Sequence, residues 1–273
     1  MADHEEKNLS NECKELLLSL PKERGWIAHH KYQYQGFWCP TADTFQAIVN
    51  FQKHFQARDS DIVVASLPKS GTTWLKALTF AGVNQHRFDI KNHPLLTSNS
   101  HNLVPFFELD LYANNQFPDF SSNFPEPRLF ATHIPFPSLG TIKESNWQLS
   151  LDEAFDRYCQ GIGGYGPFWD NILGLAKFID CSFTEEEECN GVIEDIAKLC
   201  SFDTMKKLEI NKTGTFVMNL EKKSLFRKAE VGDWVNYFTP EMEERMSKLI
   251  EEKFGGSGLT SNGFPSFQQN GTS

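Results

Sequence analysis

At 273 residues, 40% hydrophobic and 23% charged, the chain can bury one large α/β core and is too apolar to be disordered or fibrous. Its net charge of −10 excludes non-specific nucleic-acid binding, so any polyanionic ligand must be met by a local basic cluster. No run of about 18 apolar residues occurs, which predicts no transmembrane helix.

The N-terminal stretch MADHEEKNLSNECKELLLSL carries acids among its apolar residues and lacks a basic leader. It reads as no secretory signal and predicts a cytoplasmic location. Six cysteines without a C-x-x-C pair then read as reduced thiols, and the sequons at Asn211 and Asn270 as unmodified. The 24 phenylalanines predict aromatic packing ahead of an aromatic-lined pocket.

Residues 9–20 predict a short amphipathic helix, ended by Pro21 and Gly25. Residues 44–55 predict a second, with Phe45, Ile48, Val49, Phe51 and Phe55 partly on one face. DSDIVVAS (59–66) is a β-branched run typical of a parallel strand buried on both faces. A tight loop follows, then a helix from about Thr72 to Ala81. Residues 84–127 are rich in Asn, Pro and Phe without a period, as functional irregular stretches are. RLFATH (128–133) predicts a strand ending at His133, and residues 149–178 predict two helices divided by glycines.

TEEEECNGVIEDIAKLC (184–200) opens with a capping box, Thr184 and Glu187, and carries an apolar stripe through Val192, Ile193, Ile196, Leu199 and Cys200. Residues 239–256 give the strongest helix signal. Thr239 is its N-cap, Pro240 sits at N1, Met242, Met246, Leu249 and Ile250 form a buried face, and Gly255 stops it. A Gly-, Ser- and Asn-rich tail (257–273) reads as disordered, leaving 1–256 as one domain.

The chemistry-bearing stretch is IVVASLPKSGTTWLKAL (62–78). A strand feeding a turn that opens a helix aims successive N–H groups and the positive helix end at one point, as phosphate sites require. Lys69 adds a mobile charge, Thr72 and Thr73 add hydroxyls, and Gly71 permits close backbone approach. Three readings are open on this pattern. One is a plain β–α connection with an exposed lysine. Another is a nucleoside triphosphatase, but the signature G-x-x-x-x-G-K-[ST] is not met, because Lys69 precedes the glycine by two. The nearest strand ending in a metal-binding Asp, AKFID (176–180), is interrupted by Lys177.

The third reading is a resemblance. LPKSGTTWLKAL is similar to the 5′-phosphosulfate loop of the cytosolic sulfotransferases, which use 3′-phosphoadenylyl sulfate (PAPS). LPKERGW (20–26), YQGFW (34–38), NHPLL (92–96), PRLFATHIPF (127–136), YGPFWDNIL (165–173), CSFTEEEE (181–188), KLCSFDTMKKLEINK (198–212) and FRKAEVGDWVNYFTPEM (226–242) continue it in order. The nearest group is the plant flavonol, brassinosteroid, jasmonate and desulfoglucosinolate enzymes.

This resemblance implies a P-loop-like parallel sheet flanked by helices and sulfuryl transfer to a hydroxyl of a small, mostly apolar acceptor. It implies that Lys69 lies near the bridging oxygen, that Ser70, Gly71, Thr72 and Thr73 bind the 5′-phosphate, and that Trp74 stacks on adenine. His133, in the T-H-[IL]-P context, is implied as general base. Arg227, Lys228 and Ala229 match the R-K-G segment that holds the 3′-phosphate, with Ala in place of Gly. The Phe-rich stretch 84–127 and Phe136 are expected to help line the acceptor pocket. The chemistry needs no metal, and His29, His30, His54, His86, His93 and His101 lack metal-ligand spacing and receive no role. No membrane or nucleic-acid partner is implied.

Two family segments are missing. After Asn146 the family continues with C-R-[DN]-P-x-D-x-x-V-S, and after Leu175 with a strand ending in K-Y-E-[DE]. The expected sheet is therefore short of about two core strands and of some 3′-phosphate contacts. A second reading follows: a degenerate or mis-spliced chain that at most binds nucleotide.

Overall fold

The computed structural model describes residues 9–25, 28–68, 70–120, 124–135, 138–139, 182–216, 220–228 and 233–254. The chain divides into two compact units, Met1–Arg227 and Lys228–Ser273.

In the first unit, helix α1 (Asn11–Ser19) starts where the Ser10 side chain accepts from the Cys13 N–H. Strands β1 (Lys22–Arg24), β2 (His30–Tyr34) and β3 (Phe37–Cys39) form an antiparallel meander. Helix α2 (Ala42–His54) begins at a Thr41 cap and buries Phe45, Ile48, Val49 and Phe51. Its aromatic face meets Phe107 (ring centres 4.4 Å from Phe51), while Phe55 packs on Phe120 and Phe130. The abundant phenylalanines are thus used first for packing.

The parallel pair comes next. Strand β4 (Ile62–Ala65) lies beside β5 (Leu129–Thr132) in the register Ile62↔Leu129 to Ala65↔Thr132. A buried ion pair pins their starting ends. Arg128 Nε and Nη2 donate to the two Asp61 oxygens (2.6 and 2.5 Å), and Nη2 also donates to the Gln56 carbonyl. All of β5 is buried. In β4 only Val64 is buried and Ala65 is exposed, so the expectation of burial on both faces is not met. Among the described residues β4 has a single partner strand, which leaves part of it uncovered. Helix α3 (Thr72–Val83) follows the loop and runs two residues past the expected end.

Residues 84–120 hold short turns rather than an extended loop. They include one-turn 3₁₀ segments at Ile90–Asn92 and Pro94–Leu96, helix α4 (Ser100–Leu103) and a π-helical turn at Phe107–Leu111. Further on, the capping box of Thr184 and Glu187 opens α5 (Glu185–Cys189). Gly191 then breaks the run at φ +76°, and α6 (Val192–Leu199) resumes it. Ile193, Ile196, Leu199 and Cys200 bury the expected stripe against Ala77, Leu78 and Ala81 of α3. Asn211 is buried, its carboxamide bonded to Asn99 and to the Met205 carbonyl, so a glycan has no room there.

In the second unit, helix α9 (counting α7, Phe202–Lys207, and α8, Glu209–Lys212, before it) spans Pro240–Phe254. Thr239 caps it, with Oγ1 accepting from the Met242 N–H (3.3 Å). Met242 and Met246 are 53% and 43% exposed, which corrects the buried face expected there. Within this unit no described layer covers that face.

Lys69, Phe136, Ala229, the helices expected within 149–178, both junctions after Asn146 and Leu175, Gly255 and the tail 257–273 lie outside the described residues, as do the side chains of Leu249 and Ile250.

Candidate active site

The loop after β4 closes on itself through its own hydroxyls. Ser70 Oγ donates to the Leu67 carbonyl (2.6 Å), and Ser66 Oγ lies 2.8 Å from Thr72 Oγ1. Gly71 is the N-cap of α3 at φ +95°, ψ +15°, a left-handed conformation that glycine adopts without strain. No side chain caps this helix. Its first-turn N–H groups, at Thr72 and Thr73, have no upstream helical carbonyl, and the positive helix end faces the loop. That combination suits an external anion. Trp74, 39% exposed, stands on the same turn.

His133 follows β5 as Ser66 follows β4, so the parallel register delivers both to one edge. His133 Nδ1 is 2.6 Å from the Ser66 carbonyl oxygen. A carbonyl only accepts, so Nδ1 carries the proton and Nε2 presents the lone pair. Burial lowers the His133 pKa, with Lys76 lowering it further and the Ser66 carbonyl opposing, so the ring is a neutral base at neutral pH.

Behind His133 sits a buried polar cluster that sequence reasoning missed. Glu108, in the π-helical turn, accepts from the His133 N–H (2.7 Å) and the Thr132 hydroxyl (2.9 Å). Thr132 Oγ1 in turn accepts from the Ile134 N–H (2.9 Å). Burial pushes the Glu108 carboxyl up to about 7 against these hydrogen bonds. Lys76 is fully buried, with Nζ 3.2 Å from the centre of the Phe106 ring. Burial lowers its pKa to about 7, while the fields of Asp110 and Glu108 work to raise it. His101, given no role from sequence, lies between Lys76 and Thr73. One signal was available: Lys76 is a lone charge in the apolar run of α3, four residues after Thr72 and so on the same face.

The expected 3′-phosphate segment falls at the boundary between the two units. Phe226 is buried in the apolar cluster that holds Ala77, Leu78 and Ala81, which anchors the residue before Arg227. The Arg227 carbonyl accepts from Lys206 Nζ (3.3 Å). Lys228 belongs to the second unit, where it pairs with buried Asp233 (2.7 Å). The structure thus brings Ser70, Gly71, Thr72, Thr73, Trp74 and His133 to one edge of the parallel pair.

A β–loop–α turn with an open helix end and a neutral histidine at the neighbouring strand end suits the group-transfer proteins, in which an anionic group moves beside a fixed base. The family model of the sulfotransferase domain matches residues 59–149 and 170–258. Cytosolic sulfotransferase 15 of Arabidopsis thaliana is 47% identical over 320 residues, covering 94% of this chain and 89% of that protein. A sulphotransferase of known structure from Arabidopsis thaliana is 33% identical with a TM-score of 0.62, covering 93% of this chain and 98% of that one. Retinol dehydratase, solved with androsterone and the inactive cofactor PAP, shares the fold at a TM-score of 0.52 and 15% identity, over 94% and 97% of the two chains. The chain belongs to the cytosolic sulfotransferase family and has the mixed helix and parallel-sheet fold expected of it. The names of its relatives agree with the expected cytoplasmic location, and among the described residues no helix is long and apolar enough to cross a membrane.

Proposed function

We propose that this sulfotransferase moves the sulfuryl group of PAPS to a hydroxyl on a small, mostly apolar acceptor of the flavonoid, steroid, jasmonate or desulfoglucosinolate kind. The observation that carries this reading is the bond between His133 Nδ1 and the Ser66 carbonyl, which ties a general base to the strand that feeds the anion loop. In this scheme His133 Nε2 takes the acceptor proton as the acceptor oxygen bonds to sulfur. The bond from sulfur to the bridging phosphate oxygen breaks, and 3′,5′-adenosine bisphosphate leaves with the electron pair. The helix end at Gly71–Thr73 and the Lys69 charge balance the leaving phosphate, the task that dominates such loose anionic transfers. Trp74 offers an exposed face to adenine, and Arg227, Lys228 and Ala229 serve the 3′-phosphate. No metal takes part in the scheme.

The test is calorimetric titration with 3′,5′-adenosine bisphosphate, then transfer from PAPS to a panel of phenolic and steroid hydroxyls. Binding that vanishes in Lys69→Ala, with turnover of at least one acceptor, is the expected result. Failure of the folded protein to bind the bisphosphate removes the proposal.

A second reading has its own support. An alignment of 320 positions exceeds the 273 residues present, so the relative carries internal residues with no counterpart here. Residues 150–169 also fall between the two blocks of the family match. On this reading the chain lacks part of its 3′-phosphate grip and binds nucleotide without turning it over. Bisphosphate binding without transfer to any acceptor would favour it.

A further inference from the structure

Three side chains run in series from the core to the anion loop. Lys76 Nζ lies 3.0 Å from Nδ1 of His101, and Nε2 of His101 lies 2.9 Å from Oγ1 of Thr73. When Lys76 is protonated its ammonium has donors and no lone pair, so Nδ1 accepts from it. Neutral imidazole then carries its proton on Nε2 and donates it to Thr73. Burial and the Lys76 charge push His101 down to about 2, so it stays neutral. Its ring cannot swing. It stacks on Phe106 (5.4 Å) and Phe216 (4.8 Å), and the His101 backbone N–H donates to Asn99 Oδ1 (2.9 Å), which fixes the main chain beneath it. Ser100 adds a second tie from the same turn, donating to the Thr73 carbonyl (2.9 Å).

The consequence falls on Thr73. With one of its lone pairs taken by His101, its proton points elsewhere, and Thr73 sits in the first turn of the uncapped helix. A hydroxyl left to itself rotates freely and loses entropy when it commits to a ligand. We propose that His101 is a positioning residue that hands the polarity of buried Lys76 to Thr73, so that the Thr73 hydroxyl meets the donor's 5′-phosphate as a hydrogen-bond donor already turned toward it. This rests on the reading of the loop as the sulfonucleotide site.

The test is a double-mutant cycle read by calorimetric titration of 3′,5′-adenosine bisphosphate at about pH 6, where Lys76 is charged. His101→Phe keeps the stacked ring and removes both nitrogens, and Thr73→Val removes the hydroxyl. Each single change is expected to weaken binding about tenfold, the scale of one hydrogen bond to a charged group. The double variant is expected to bind no worse than Thr73→Val. A merely structural histidine would instead give losses that multiply, which overturns the inference, as does His101→Phe binding like wild type. If stranding Lys76 prevents His101→Phe from folding, the cycle is run in a background of Lys76→Met with His101→Phe. There, adding Thr73→Val is expected to cost little, and a full tenfold further loss overturns the relay. No binding by folded wild type overturns the donor-site reading itself, and the relay with it.

Discussion

His133 Nδ1 stands 2.6 Å from the carbonyl oxygen of Ser66, across the C-terminal ends of two parallel strands that are 67 residues apart in sequence. The contact fixes which ring nitrogen is basic. It also places that ring one strand from the loop at Gly71, so a neutral imidazole and the open N-terminal end of α3 share one edge.

Replacement of His133 by alanine therefore separates chemistry from binding. Transfer is expected to fall by about 10²–10⁴, the usual worth of a general base. Calorimetric affinity for the bisphosphate should stay within a few-fold of wild type. An equal collapse of both would show that His133 is needed for the loop's shape rather than for proton removal.

Gly71→Ala tests the left-handed cap. An added Cβ meets nothing within 4 Å, so its cost is torsional rather than steric. Urea denaturation should show a loss of about 1–2 kcal/mol, the penalty for an L-residue in this region. Bisphosphate affinity should fall as well, because the backbone must shift to relieve φ. Unchanged stability would mean that the loop relaxes at no cost.

The buried carboxyl of Glu108 makes stability depend on pH in a defined direction. Its pKa is raised from 4.5 to about 7 on folding, so between these values the folded state holds more protons than the unfolded one. Stability from this group is fully present below about pH 4.5, falls as pH rises toward about 7, and is flat beyond. The full swing is on the order of 3 kcal/mol. Denaturation midpoints of Glu108→Gln should lose that slope, whereas an unaltered slope would assign it to other groups.

Asp61→Ala strands the Arg128 guanidinium, which is 1% exposed. Leaving an uncompensated buried charge is expected to cost about 3–5 kcal/mol. Adding Arg128→Met should recover most of it, read as melting temperature. A small effect in the single variant would mean that the Gln56 carbonyl and the surrounding rings of Phe55, Phe120 and Phe130 suffice for Arg128.

Much of the local structure was legible because it is written over a few adjacent residues. The capping box at Thr184 and Glu187 satisfies its own backbone donors, and Thr239 with Pro240 starts a helix without help from elsewhere. The strand, glycine turn and helix from Ile62 onward were also legible, as was the strand that ends just before His133. The buried face assigned to α9 was not sound, since amphipathic spacing names a face and not what covers it.

The loop between β4 and α3 and the strand before His133 are contiguous patterns, and the family shows in segments spaced in order along the chain, so all three can be read without a fold. Folding added the enclosure of Lys76, His101 and Glu108 behind the edge that the loop and His133 share. Lys76 shows in sequence only as a lone charge in an apolar helix until packing removes it from water, and His101 as an unassigned histidine until it lies between Lys76 and Thr73. Their chemistry comes from burial and from donors and acceptors brought together by the strand register. A low-dielectric enclosure and a fixed hydrogen-bond direction are properties of the folded assembly, and no short stretch of chain encodes either.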